Sequence, residues 1–392
     1  HWRLAVGPVA RRSLVLATFG HIALEICNNC LPVIYPLMIA AGVLTYTQVG
    51  TISLVSGMAA SLTQPLFGHL SDRWDARMVV TLSVLLSGLA ITLVGFANSW
   101  LLLLALVTLA LIGSAAFHPS GATVATSGAH ESRGAAAAIF SLGGTIGVAL
   151  SPVLVALGVR WLGVRSTVLI LPVGLVGGLL LYAQTKRTPH PNSVASSESV
   201  HPKASTGSLG ALAILIVAGI FRMAVDSPFT TYLPTWVQSR GGSLQAGART
   251  LFLYTIGTAV GSIVGGRLAD RIGRWQAMAV SLTLLAPAVY ALQVTPSALQ
   301  VALIFLIGMM LGANYPILIV TAQENMPRSP GVATGLALGL GWIGSGIGGQ
   351  VTGILADHYS LNIALRWLAA PGALALICTL LYPLIIRIRP PR

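Results

Sequence analysis

The chain has 392 residues, of which 55% are hydrophobic and only 8% charged, and its mean hydropathy is +0.83. Soluble domains carry about 25% charged residues, so two or three soluble domains are excluded and a polytopic membrane protein is expected. The net charge of +13 does not call for nucleic acid, because the cations are scattered among short loops, where positive cytoplasmic loops account for them.

Apolar stretches predict twelve spanning helices. The first six fall near 13–41, 46–67, 78–97, 100–127, 134–157 and 165–184. The second six fall near 209–238, 247–266, 276–294, 297–323, 331–355 and 363–386. No stretch resembles a cleavable signal peptide ahead of a soluble domain. The sequence begins at His1, so further residues are expected to precede it. The polar, Ser- and Pro-rich segment 185–208 reads as a flexible cytoplasmic linker between an N-terminal bundle (1–184) and a C-terminal bundle (209–392). Cys27 and Cys30 form a C-x-x-C inside an apolar span with no second ligand pair, so small core residues are expected there rather than a metal or redox site.

The two halves repeat. Gly68-His69-Leu70-Ser71-Asp72-Arg73 returns as Gly266-Arg267-Leu268-Ala269-Asp270-Arg271, at an offset of 198. The glycine-rich run from Gly134 parallels that from Gly331, and Tyr35 parallels Tyr232, both at 197. Such agreement points to an internal repeat of six helices. With both termini and the linker on one side, sixteen cations fall there and five on the other, with Arg222 inside a span. The positive-inside rule puts that side in the cytoplasm.

Ionisable groups inside the spans carry the functional reading. An ionisable residue at mid-membrane costs about 2.5–3.5 kcal/mol on insertion scales, so it persists where it faces a wet cavity or a partner. His21 and Glu25 lie one helical turn apart, as do Arg222 and Asp226. Arg222 is the repeat equivalent of Glu25, and His118 precedes Pro119, which is expected to interrupt its helix. A proton-coupling set of Glu25, His21 and Asp226 suits this chemistry, since burial and a nearby cation pull a carboxylate's proton affinity in opposite directions. Arg222, His118, Asn28, Tyr35, Tyr232 and Asn314 are candidate substrate contacts. Each has a bland alternative: a stiffening His21–Glu25 pair, an Asp226 that only neutralises Arg222, a His118 that only satisfies the carbonyl freed by Pro119, or tyrosines of an interfacial belt. The glycines at 335–353 lie within a span and lack the lysine of a phosphate loop, so close helix packing is expected of them and of Gly143, Gly144 and Gly147.

Twelve helices, two halves and a G-x-L-[SA]-D-R loop after helices 2 and 8 resemble the major facilitator superfamily. The second loop follows the family motif; in the first, Asp75 stands where the family has Gly and Ala76 where it has a cation. The resemblance implies an all-α transporter in which Asp72, Arg73, Gly266, Asp270 and Arg271, with Glu324, govern conformational gating. "GHIALEICNNCLPVIYPLM" (20–38), "SAAFHPSGATVA" (114–125), "TAQENMP" (321–327) and "GILADH" (353–358) are similar to the fosmidomycin-resistance group. Ser120, Thr123 and Asp226 depart from that group's pattern. The resemblance implies a proton-coupled exporter of small polar or anionic compounds in a bacterial inner membrane. An importer, or a lipid transporter on the same fold, is the alternative. The expected partners are a small-molecule substrate, protons and the lipid bilayer, for a monomer with no cofactor, no metal and no nucleic acid. No Ser/His/Asp set, zinc triad or nucleotide loop supports an enzyme.

Overall fold

The computed structural model describes residues 8–71, 75–127, 133–185, 209–326 and 330–387. Among these, every regular element is helical. In the first half they are α1 (Pro8–Asn28), α2 (Leu31–Ala40), α3 (Tyr46–Ser71), α4 (Ala76–Val94), α5 (Trp100–Thr126), α6 (Arg133–Leu162) and α7 (Ile170–Thr185), with a 3-10 segment over Gly163–Leu169. The second half holds α8 (Leu209–Ser239), α9 (Leu244–Ile272), α10 (Arg274–Thr283), α11 (Leu285–Leu292), α12 (Ser297–Asn325), α13 (Pro330–His358), α14 (Leu361–Arg366) and α15 (Ala369–Arg387). Ten stretches among the described residues are long and apolar enough to cross a membrane, which makes this a multi-pass membrane protein.

Three stretches expected as single helices are each broken in two, and the breaks share a cause. A proline cannot donate to the carbonyl four residues before it. Pro32 leaves the carbonyl of Asn28 without that donor, and α1 ends at Asn28. Pro287 does the same for Thr283, the last residue of α10, and Pro371 for Trp367, just past the end of α14. Other prolines are carried inside continuous helices. In particular, α5 runs unbroken through Pro119, contrary to the expected interruption. Gly273 separates α9 from α10 at φ 96°, a conformation open to glycine and strained for other residues, while its N–H reaches the Ala269 carbonyl at 3.0 Å. Asp75, the departure from the family's loop pattern, caps α4 by accepting from the Arg77 N–H at 3.0 Å.

The helices sort into two compact units. The first holds α1, α2, α3 from Ala59 onward and α4–α7; the second holds Leu44–Met58, which includes the start of α3, together with α8–α15. In the first, α1 packs along α6, and α4 along α5 and α7, around Leu14, Leu24, Val84, Phe117, Phe140 and Leu181. Gly88 and Gly174 bring α4 and α7 together: a Cβ on either would lie 2.8 Å from the other's Cα. In the second unit, α9 packs along α12, and α8 along α13 and α15, around Leu215, Met278, Leu318, Ala337 and Tyr382. The start of α3 is tied into this unit by Asp357 of the "GILADH" run, whose carboxylate accepts from the N–H groups of Tyr46 (3.1 Å) and Thr47 (2.7 Å). A negative charge at a helix N-terminus satisfies orphan donors and opposes the helix dipole.

Candidate functional site

Two polar constellations lie inside the apolar helices, one per unit. In the first unit, α6 presents Gly143, Gly144 and Gly147 to α1. A Cβ on Gly147 would stand 2.6 Å from the Ile22 carbonyl oxygen and 2.7 Å from Glu25 Cβ, and one on Gly144 would run into the His21 ring. The glycines therefore let the polar face of α1 seat directly on α6.

On that face, His21 is 8% exposed. Its Nδ1 lies 2.9 Å from the Phe140 carbonyl oxygen, and its ring stacks on the Phe140 ring with centroids 4.3 Å apart. A carbonyl only accepts, so Nδ1 carries the hydrogen and the neutral ring turns its Nε2 lone pair toward Glu25. His21 Nε2 is 3.5 Å from Glu25 Oε1. His118 reaches across from α5 and puts its Nε2 3.5 Å from the same oxygen. The Ser114 hydroxyl sits 3.3 Å from His118 Nε2. The other carboxylate oxygen, Oε2, accepts from Asn29 Nδ2 at 2.7 Å.

The second unit holds the repeat-related set. Arg222 Nη1 donates to Asp226 Oδ2 at 3.2 Å and to the Leu311 carbonyl at 3.1 Å. The guanidinium lies over the Tyr315 ring, 5.8 Å from its centroid. Asp226 Oδ1 accepts from the Tyr254 hydroxyl. Ala218, Gly219, Met278, Leu282, Asn314 and Leu318 pack around Arg222, leaving a gap too small to hold a water molecule. Asn314 is fully buried; its Nδ2 donates to Ser281 Oγ and the Met310 carbonyl, while its Oδ1 has no partner among the described residues.

The remaining candidates are dispersed. The buried Asn28 amide has no hydrogen-bond partner among the described residues. Tyr35 and Tyr232 are buried in their helices. The Tyr232 hydroxyl donates to the carbonyls of Tyr46 (2.9 Å) and Gly349 (3.2 Å), an internal latch rather than a belt position. Gly266 has open space around it, and Asp270 and Arg271 are exposed at the end of α9. Glu324, at the end of α12, pairs with Arg274 at the start of α10. Asp72, Arg73 and the linker from 186 to 208 lie outside the described residues. Cys27, Cys30 and Cys378 are buried free thiols.

Sequence reasoning missed four partners. Asn29 lies four residues after Glu25 and was open to the same one-turn rule that singled out His21. Ser114 stands in that relation to His118. Phe140 acts through its carbonyl, which leaves no trace in residue type. Tyr254 comes from a helix 28 residues away from Asp226, and only folding identifies it.

All-helical units, each with a buried polar set on a glycine seam, define a multi-pass membrane carrier. The Major Facilitator Superfamily profile matches residues 17–349 and 250–392, and the chain belongs to that family. It is 28% identical over 357 residues to the fosmidomycin resistance protein of Escherichia coli K12, covering 89% of this chain and 87% of that one. It is also 28% identical over 378 residues to the MFS-type transporter YfnC of Bacillus subtilis 168, covering 93% and 92%. Among solved structures, a bacterial homologue of the human lysosomal transporter Spinster superposes with a TM-score of 0.80 at 19% identity, covering 97% of each chain. The nucleoside transporter NupG gives a TM-score of 0.77 at 16% identity, covering 94% of this chain and 99% of that one.

Proposed function

We propose that the protein is a secondary active transporter that exports a small polar or anionic compound in exchange for protons, by alternating access across a bacterial inner membrane. The observation that carries this reading is the cluster of Glu25 with two imidazole nitrogens, each 3.5 Å from one carboxylate oxygen. With His21 Nδ1 committed to the Phe140 carbonyl, a neutral His21 sets a lone pair against a carboxylate. One added proton between Nε2 and Oε1 turns that repulsive contact into a charge-assisted hydrogen bond. The cluster is therefore built to take up and release a proton as one coupled unit. His21 tunes this exchange and Glu25 carries the charge. Arg222, with Asn314 beside it, supplies the anion-attracting group. Transport of this kind needs no covalent chemistry.

Resistance to fosmidomycin in one relative and multidrug resistance in another, 28% identical over 68% of this chain, support outward transport. Twelve crossings fit the helix lengths. The apolar run Ala135–Ala183 is 49 residues long, about 70 Å as helix against a hydrocarbon core of about 30 Å, so it holds two crossings. The 26-residue α3 supplies one more. The cation distribution supports a cytoplasmic location for both termini and the 185–208 linker.

The test is proton movement in proteoliposomes on addition of substrate, with compounds first selected by a resistance panel in an efflux-deficient host. Substrate-driven alkalinisation or acidification that collapses in Glu25→Gln supports the reading. Transport indifferent to the proton gradient would sink it.

A further inference from the structure

No metal was expected from the sequence, yet the folded chain brings together three side chains with metal-ligating atoms. One ligand atom each from His21, Glu25 and His118 lie within 4.8 Å of one another. A tetrahedral ion with bonds of about 2.0–2.1 Å has ligand–ligand edges of about 3.3–3.4 Å. The two edges that meet at Glu25 Oε1 are 3.5 Å each, so they already stand near that spacing. The third edge closes by rotation of His118, whose side chain is 36% exposed and has room to move.

The outer shell is in place as well. Ligating imidazoles hold their orientation by donating the other ring nitrogen to a carbonyl or carboxylate, and ligating carboxylates are themselves hydrogen-bonded. His21 donates Nδ1–H to the Phe140 carbonyl at 2.9 Å, which aims Nε2 into the cluster. Asn29 holds Glu25 Oε2 at 2.7 Å, which aims Oε1 into it. The exposed edge of His118 gives an entry path. Ligand identity, spacing, outer shell and access are the requirements of a cation site, and this cluster meets them once His118 turns to close the third edge.

We propose that His21, Glu25 and His118 bind a first-row divalent transition-metal ion of the Zn2+ class, with a fourth position open to water or to a carried compound. Two imidazoles and one carboxylate select such ions over Mg2+ and Ca2+, which take oxygen ligands. His118 exchanges its 3.3 Å contact with Ser114 for the metal. The repeat supplies an internal contrast: at an offset of 197 the three ligands become Ala218, Arg222 and Tyr315, which hold no such ion. The site therefore belongs to the first unit alone.

The test uses tag-free, chelator-treated protein titrated with Zn2+ by calorimetry and with Co2+ by visible absorption, with no substrate present. One ion per chain is expected, with the intense Co2+ bands of a four-coordinate site and no competition from Mg2+ or Ca2+. His118→Ala and Glu25→Gln should each weaken binding at least ~10-fold, and Asn29→Ala about 10-fold through the outer shell. His358→Ala, an exposed histidine at the end of α13, should leave it unchanged. No saturable binding, or equal affinity in His118→Ala, overturns the site, and so does loss of binding in His358→Ala. Should Glu25→Gln fail to fold, the partly exposed His118 alone decides. Zn2+ occupies the lone pairs that the proposed proton would use, so it should also slow proton movement in proteoliposomes. That second arm rests on the proton-exchange reading: Zn2+ that binds as above without slowing flux tells against that reading and leaves the metal site standing.

Discussion

The α1–α6 seam of the first unit and the α8–α13 seam of the second are one design with the charges exchanged. Glu25 on α1 and Asn29 just past its end correspond to Arg222 and Asp226 on α8 at an offset of 197. In each, the second residue bonds the first one turn away: Asn29 to Glu25 at 2.7 Å, and Arg222 to Asp226 at 3.2 Å. His118 reaches Glu25 from α5, and its counterpart Tyr315 lies against Arg222 from α12. Gly147 admits α1 to α6, and its counterpart Gly344 admits α8 to α13 at the Ile220 carbonyl. The difference lies in what neutralises the central charge. Arg222 has a carboxylate of its own, braced by Tyr254. Among the described residues Glu25 is met by a neutral amide and two imidazoles, so on the proposed reading its charge is balanced when a cation arrives. One seam is fixed and the other is variable.

The largest expected effect breaks the variable seam. Glu25→Gln removes the negative charge that both imidazoles face, and substrate-driven proton flux in proteoliposomes should fall to background. Substrate binding should survive, because nothing in the Arg222 set is disturbed. Asp226→Asn should do the reverse. It makes the second seam read like the first, with an amide one turn from the charge, and leaves Arg222 without its anion. Removing one partner of a buried ion pair costs about 3–5 kcal/mol. Asp226 keeps some exposure, with 22% of its side chain accessible, which favours the lower figure of about 3 kcal/mol. The melting temperature should drop while residual transport remains proton-coupled. Coupling lost in Asp226→Asn and kept in Glu25→Gln would exchange the two roles.

The repeat offset, the pairs one turn apart and the packing role of the glycines were all legible in the sequence, because each rests on spacing along one chain. The helix breaks were less so. Pro32, Pro287 and Pro371 each end a helix, while Pro119, Pro228 and Pro316 do not. Which carbonyls find another donor depends on neighbours that only the fold supplies. The Phe140 carbonyl and the Tyr254 hydroxyl were hidden for the same reason. Asp357 stood in view within "GILADH", but its task of capping α3 joins residues more than 300 positions apart.

A pair of glycine substitutions sharpens the comparison at the level of packing. Overpacking a tight seam costs about 1–3 kcal/mol. Gly344→Ala drives a methyl into a backbone carbonyl, which cannot rotate away, so about 2 kcal/mol is expected there. Gly147→Ala presses on Glu25 Cβ and the Ile22 carbonyl at slightly longer range, so its cost should be smaller. Its methyl also displaces the carboxylate, so it should disturb proton flux out of proportion to its loss of stability. Melting curves and flux assays on the two variants separate these outcomes. Equal loss of coupling in both would mean that the seams are functionally alike.

The smallest expected effect tests whether the second seam is fixed. Tyr254 donates its hydroxyl to Asp226 and stacks on Phe229, with ring centroids 5.9 Å apart. Tyr254→Phe keeps the ring and its packing and removes only the donor. A hydrogen bond to a charged group is worth about 1.5–3 kcal/mol, and Asp226 retains Arg222 as a partner, so about 1.5 kcal/mol should be lost. If the Arg222–Asp226 pair is permanently charged, this loss appears as a lower melting temperature at every pH where the fold is intact. The pH profile of transport should not move, since the cluster proposed to exchange the proton lies on α1 and α5. His21→Asn, which disrupts the variable seam by one ring, should shift that profile, and because the ring is buried against Phe140 it should also lower the melting temperature. A shifted profile in Tyr254→Phe would show that Asp226 exchanges protons too, and the fixed and variable seams would then be two halves of one relay.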